Sequence, residues 1–170
     1  VAEVIDAAPT QAFELGRARW LKKGRDAVIL SYGALGSAAL EAAQTLTQQG
    51  IDTGVVDMRF AKPIDEQVLR TVFDDSHEEM ACVVTVEDHT LIGGFGAAVL
   101  EAARRLKLDT RRLMMLGLPD AWVAHDSRKA QLATVGLNAA GICRSVLEFF
   151  DQANQQNQFR NSSSHLGARL

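Results

Sequence analysis

The chain has 170 residues, enough for one domain with a sizeable core and short for two. Hydrophobic residues make up 47% and charged residues 23%, the balance of an ordinary globular domain. A net charge of -3 gives no reason to expect a nucleic-acid or anionic-membrane surface, and no apolar run approaches the ~20 residues that span a bilayer.

No charged segment precedes an apolar run near the start, so no signal peptide is expected. The chain begins at Val1 rather than Met and is expected to be a piece of a longer protein. Residues 1–12 have no clear period, contain Pro9, and read as a linker entering from upstream. Phe13 to Leu21 alternates loosely before Lys22-Lys23-Gly24 and reads as an edge strand guarded by charge. Ala27 to Leu30 reads as a buried strand. Ala34 to Gln49 reads as a helix with Gly50 past its end; Leu35, Ala39, Ala42, Ala43 and Leu46 share one face.

Thr53 to Met58 is the next expected strand. Pro63 marks a break, and Asp65 and Glu66 sit where a helix N-terminus favours negative charge. The helix Asp65 to Asp74 would turn Val68, Leu69 and Val72 inward. Met80 to Val86 reads as a strand ending at Glu87-Asp88, and Gly94 to Lys107 as the helix that follows. Arg112 to Leu116 is a further strand, followed by a loop from Gly117 to Asp126. Ser127 caps an expected helix Arg128 to Val135, and Asn138 caps another from Ala139 to about Asp151. From Asn154 to Leu170 the chain is rich in Gln, Asn and Ser and is expected to be mobile or held by a neighbour. The alternation predicts an α/β fold: a three-layer, open, mostly parallel sheet with helices on both faces and one antiparallel edge strand. The domain would span 13–153. Cys82 and Cys143 fall in strand and helix patterns and read as buried free thiols.

The candidate functional residues gather at strand ends, where open α/β sheets bind their ligands. Glu87, Asp88 and His89 are residue types that move protons or hold metals, but their spacing matches no metal signature. Solvated charges or ion-pair partners are the expected roles. Gly94-Phe95-Gly96-Ala97-Ala98-Val99 has two glycines of a dinucleotide fingerprint, with Val99 where the third belongs. The expected alternative is a tight turn packed on another subunit or domain. There Gly93, Gly94 and Gly96 admit close backbone approach and Phe95 is covered by a neighbour. Arg59, following a strand, is either an anion anchor across an interface or a solvated arginine. His125-Asp126-Ser127 has the residue types of a hydrolase triad, but adjacent residues cannot fold back into that relay. His125 alone remains a candidate acid, substrate ligand, partner contact or structural hydrogen-bonding group.

Together, Asp57-Met58-Arg59-Phe60-Ala61-Lys62-Pro63-Ile64-Asp65 and Val84-Thr85-Val86-Glu87-Asp88 with Gly93-Gly94-Phe95-Gly96 resemble the carboxyl-terminal domain of transketolase-like enzymes. Leu116-Gly117-Leu118-Pro119-Asp120, His125, Ser127, Leu132, Gly136-Leu137 and Ala140-Gly141-Ile142 are similar to the 1-deoxy-D-xylulose-5-phosphate synthase family. The resemblance runs from about Phe13 to Phe150. Asp88, Ala121 and Asp126 depart from the family pattern, which often has glutamate, a large residue and glycine there. The resemblance implies a three-domain transferase that condenses pyruvate with glyceraldehyde 3-phosphate, losing carbon dioxide, for isoprenoid precursors. It implies thiamine diphosphate and magnesium held by upstream domains of the same chain, with none bound by this piece, which alone would be inactive. It also implies a homodimer, in the bacterial cytoplasm or in a plastid, with neither nucleic acid nor membrane as partner. No catalytic, cofactor or metal residue carries over to these positions. Arg59, Glu87, Asp88, His89, Gly93, Gly94, Phe95, Gly96 and His125 are the candidates for an interface or channel-facing surface. Two alternatives stay open: the equivalent domain of a transketolase or 2-oxoacid dehydrogenase decarboxylase subunit, and a free-standing nucleotide-binding module.

Overall fold

Five strands form one sheet in the order β1-β3-β2-β4-β5, with β1 antiparallel to β3 and every other pair parallel. The computed structural model describes residues 13–73 and 81–167, with side chains to 155. The strands are β1 Arg19–Lys22, β2 Ala27–Tyr32, β3 Thr53–Asp57, β4 Cys82–Thr90 and β5 Leu113–Leu118. The helices are α1 Gly36–Gln48, entered through a 3-10 turn Gly33–Leu35, α2 Glu66–Val72, α3 Phe95–Arg105, α4 Arg128–Thr134 and α5 Ala139–Gly167. This is the expected three-layer architecture with its antiparallel edge strand. The expected linker 1–12, the end of α2 at Asp74 and the start of β4 at Met80 lie outside the described residues.

Each central strand is apolar on both sides because each side meets helices. In β2, Ala27 and Ile29 pack with α1 and α5, while Val28 and Leu30 face α2 and α3. The predicted stripe on α1 is buried as expected: Leu35, Ala39, Ala42, Ala43 and Leu46 are all in the first core. Val68, Leu69 and Val72 of α2 enter the second. Gly50 takes φ 91° just after α1, a conformation that only glycine adopts without strain. Both cysteines are buried and free, and burial pushes the Cys82 thiol up to about 12.

Several boundaries differ from expectation: β2 runs to Tyr32 rather than Leu30, and β5 to Leu118 rather than Leu116, so Gly117 is in a strand and not in the loop. β1 starts at Arg19 rather than Phe13, and Phe13 and Leu15 are exposed. Pairing with β3 begins at Arg19↔Asp57, and among the described residues the alternation before it meets no partner strand. β4 continues past Val86 to Thr90, because Tyr32↔Glu87 and Thr90↔Leu118 still pair. Glu87, Asp88 and His89, expected at the strand end, therefore lie within the strand. α5 runs on to Gly167, so the expected end near Asp151 and the boundary at Asn154 fall inside it. No glycine or proline interrupts the polar stretch before Gly167. Among the described residues, no helix is long and apolar enough to cross a membrane.

Asp65 ties the segment before β1 to the start of α2. Its Oδ1 accepts from the N–H groups of Gln67 and Val68 at 3.1 and 3.2 Å, capping α2, and its Oδ2 accepts from Ala18 N–H at 2.9 Å. Asp65→Ala leaves three donors without this acceptor and is expected to destabilise the chain by ~2–3 kcal/mol. At ~2–4 °C per kcal/mol for this size, a thermal melt should fall by several degrees, with Asp65→Asn intermediate. A melt unchanged within a degree would contradict this role.

Candidate functional site

The sheet order reverses at β2: the chain leaves it towards β3 and returns to its other side at β4. A cleft of 610 Å3 opens at the carboxyl ends of these strands. It is the topological position where open α/β sheets bind ligands. Tyr32 at the end of β2, Glu87, Asp88 and His89 of β4, and Gly93, Gly94 and Phe95 of the following turn line it. Six of the nine sequence candidates are thus brought to one place.

The pleat of β4 divides its three polar residues. Glu87 follows Val83 and Thr85 onto the α3 side and is fully buried. Its Oε2 accepts from Phe95 N–H at 2.5 Å and its Oε1 from Gly96 N–H at 2.8 Å. Those are the first N–H groups of α3, which otherwise have no partner within the helix. A carboxylate here also meets the positive end of the helix dipole. The expectation of a solvated strand-end charge is corrected for Glu87: it is an internal cap. Asp88 points the other way and pairs with Arg128 of α4 at 2.6 Å, as an ion-pair partner was expected to do. His89 is exposed on the cleft wall.

The glycines explain how the carboxylate gets so close. A Cβ on Gly94 would lie 2.1 Å from the Thr90 carbonyl oxygen and 2.4 Å from Glu87 Oε2. Gly93 sits at φ 73°, which turns the chain back from β4 into α3. Gly96 is buried, its missing Cβ filled by Thr85 and Met115.

Phe95 overturns the expectation that a neighbour must cover it. It is 3% exposed, lies in the core of α2 and α3, and stacks on Tyr32 with ring centroids 4.9 Å apart and planes 11° off parallel. Tyr32 supplies the local reason for burial that the sequence reading lacked. It is one residue beyond the apolar run of β2, and only the register Tyr32↔Glu87 brings it to the turn. Arg128 was likewise missed, since nothing local pairs it with a residue 40 positions away.

Arg59 and His125 do not join this cleft. Arg59 lines a second one, between β1 and α2. His125 is exposed in the loop after β5 and lines neither. That loop also carries Trp122, fully exposed, and its neighbour after β4 carries the exposed Ile92.

The arrangement bears on nucleotide binding directly. A dinucleotide needs the N–H groups at the start of the helix for its pyrophosphate. Here an internal carboxylate already holds them. Glu66, Asp88 and Glu101 add further negative charge to the cleft against Lys62 and Arg105, and Arg105 is paired with Glu66 at 2.7 Å.

Two substitutions test this packing in the chain itself. Phe95→Ala is expected to cost ~3–5 kcal/mol, which at ~2–4 °C per kcal/mol lowers the melting temperature by well over five degrees. Gly94→Ala forces the Glu87 cap apart and should destabilise comparably, whereas Trp122→Ala should leave the melt within a degree. A Phe95→Ala melt equal to that of the parent would return this side chain to an interface.

The comparisons with known proteins agree with the geometry. Residues 16–142 match the family described as Transketolase, C-terminal domain. The 1-deoxy-D-xylulose-5-phosphate synthase of Bordetella avium (strain 197N) is 43% identical over 150 residues, covering 88% of this chain and 22% of that protein. The synthase of Rhodopirellula baltica is 40% identical over 149 residues, covering 85% of this chain and 23% of that protein. The chain therefore spans less than a quarter of the length of these curated relatives. A solved structure called "Split gene transketolase, inactive beta4 tetramer" is 34% identical, with a TM-score of 0.73, covering 85% of this chain and 46% of that one. A transketolase from Pichia stipitis is 18% identical with a TM-score of 0.60, covering 81% of this chain and 18% of its own, and shares the fold. The chain belongs to the transketolase C-terminal domain family.

Proposed function

We propose that this chain is the carboxyl-terminal domain of a thiamine-diphosphate-dependent 1-deoxy-D-xylulose-5-phosphate synthase. The whole protein would condense pyruvate with glyceraldehyde 3-phosphate and release carbon dioxide. The observation that carries this reading is the series of synthase relatives, each about two-fifths identical across most of the chain. The runner-up, a transketolase or 2-oxoacid dehydrogenase subunit, has less support, because the synthase relatives are 40–43% identical and the split-gene transketolase 34% over a similar length.

In a synthase of this kind thiamine diphosphate and magnesium supply the decarboxylation chemistry. The described residues do not suit that group. The oxygens of Glu87 are engaged by Phe95 and Gly96, and the remaining acids of the cleft would repel a diphosphate. Among the described residues, no three His, Cys, Asp or Glu side chains converge as metal ligands. The cofactor is assigned to the part of the protein outside this chain, and no catalytic step is routed through these residues.

The domain's own role is assembly. The loops after β4 and β5 emerge side by side, joined by the Leu91 N–H to Leu118 carbonyl hydrogen bond, and carry Ile92 and Trp122 outward. Large exposed apolar groups of this kind suit a docking face for the rest of the protein in a homodimer. The compartment would be the bacterial cytoplasm or a plastid. The solved relative described as an inactive tetramer of one subunit type fits a domain that assembles without turnover by itself.

The test compares the whole protein containing this chain with the 170-residue chain, both supplied with thiamine diphosphate and magnesium. The whole protein is expected to release carbon dioxide from pyruvate only when glyceraldehyde 3-phosphate is present. The chain alone should show neither turnover nor heat of cofactor binding. Ketose exchange without pyruvate decarboxylation would favour a transketolase, carbon dioxide release without glyceraldehyde 3-phosphate a 2-oxoacid dehydrogenase subunit, and micromolar cofactor binding by the chain alone would refute the domain assignment.

A further inference from the structure

The second cleft, of 550 Å3, lies between β1 and α2 and is independent of the synthase reading. Arg59 forms part of its wall. The side chain is 10% exposed, and its Nε is buried with no hydrogen-bond acceptor among the described residues. Its closest acidic atom is Asp57 Oδ2, 3.7 Å from Nε, an ion-pair distance beyond hydrogen-bond reach. Phe13 covers the face of the guanidinium, with its ring centroid 4.6 Å from Cζ. Guanidinium donors lie in the plane, so a ring on the face does not satisfy the buried Nε–H. A nearly buried cation with an unused donor is costly, and such groups are ordinarily satisfied by something.

Two further cations share the cleft. Arg17 donates to Gln67 Oε1 at 2.9 Å and stays 46% exposed, and the Lys23 ammonium sits 3.9 Å over the Trp20 ring. The opposing acids are Glu14 and Asp65. Asp65 accepts from three backbone N–H groups and lies 3.7 Å from Arg17 Nη1, and the mostly exposed Glu14 pairs with Arg17 at 3.4 Å, so both acids are engaged with Arg17 rather than Arg59. Arg59 is held at φ 55°, uncommon for a residue with a Cβ, while its N–H donates to Asp57 Oδ1 at 3.2 Å. The backbone thus presents the side chain in one orientation.

We propose that the Arg59 cleft is an oxyanion-binding site for a phosphate or carboxylate group, with Arg59 as the principal ligand and Arg17 and Lys23 as supporting charges. The oxyanion comes either from a free small molecule or from an acidic side chain in the remainder of the protein. The Glu87 cleft repels such a group, so the molecule's anion site lies beside α2 rather than at the reversal of the sheet.

The probe is inorganic phosphate, titrated at constant ionic strength and followed by NMR at the N–H groups of Trp20, Gln67 and Val68 in the cleft wall, which every variant keeps. A saturable shift is expected in the 170-residue chain. It should weaken about tenfold or more in Arg59→Met and by a few-fold in Arg17→Gln, the loss of one charge-assisted contact in each case. Arg17→Gln changes a half-exposed side chain and keeps the test valid if Arg59→Met fails to fold. The same titration of the whole protein separates the sources. Retained binding points to a free ligand, and loss of binding only there points to an internal carboxylate in the cleft. A linear, unsaturable shift in the 170-residue chain, or equal binding by the parent and Arg17→Gln with Arg59→Met also unchanged, overturns the proposal.

Discussion

One buried carboxylate organises the functional end of the sheet. Glu87 has no exposed surface, and an unpaired charge in that position would be prohibitive. Its two hydrogen bonds to the first N–H groups of α3 make the burial tolerable and also set where α3 begins. Charge-assisted bonds of this kind contribute roughly 1.5–3 kcal/mol each. The neighbouring features follow from them. Gly94 has no Cβ because the carboxylate stands where one would go. Gly93 reverses the chain in the space that remains, and Phe95 drops into the core against Tyr32.

The same interaction bears on what the site can hold. In an open α/β fold the reversal point of the sheet, with a helix N-terminus facing it, is the default place for a phosphate. Here the chain has filled that place from within, using its own anion. What remains is an acidic cleft beside two loops with exposed apolar side chains, a surface better suited to docking protein than to holding a nucleotide. The positive charge is found elsewhere, in the cleft of Arg59, on the far side of the loop 58–65. This division fits the proposal that the cofactor site lies in the remainder of the protein.

Much of this was legible in the sequence. Runs such as Ala27 to Leu30 and the stripe on α1 specify buried parallel strands and a covering helix through period alone. The glycines announced a close approach, and the motif around Asp57 to Asp65 announced the family. What approaches the glycines was not legible. Strand pairing brings Tyr32 beside Glu87, and the two residues are 55 positions apart, so no local pattern marks either Phe95 burial or the Glu87 cap. For the same reason the separation of Arg59 and His125 from the other candidates required the fold. The extent of α5 was misread from composition, since Gln and Asn lower burial without preventing a helix.

The most direct measurement is amide hydrogen exchange at Phe95 and Gly96 in the parent chain and in Glu87→Gln, a change that keeps the shape and removes the charge. The account predicts that both amides are protected in the parent. In the variant, exchange at one or both should rise about tenfold or more, while amides of β2 such as Ile29 change no more than the global stability does. Equal protection of Phe95 and Gly96 in the two chains would contradict it, because the helix start would then be held by something other than Glu87.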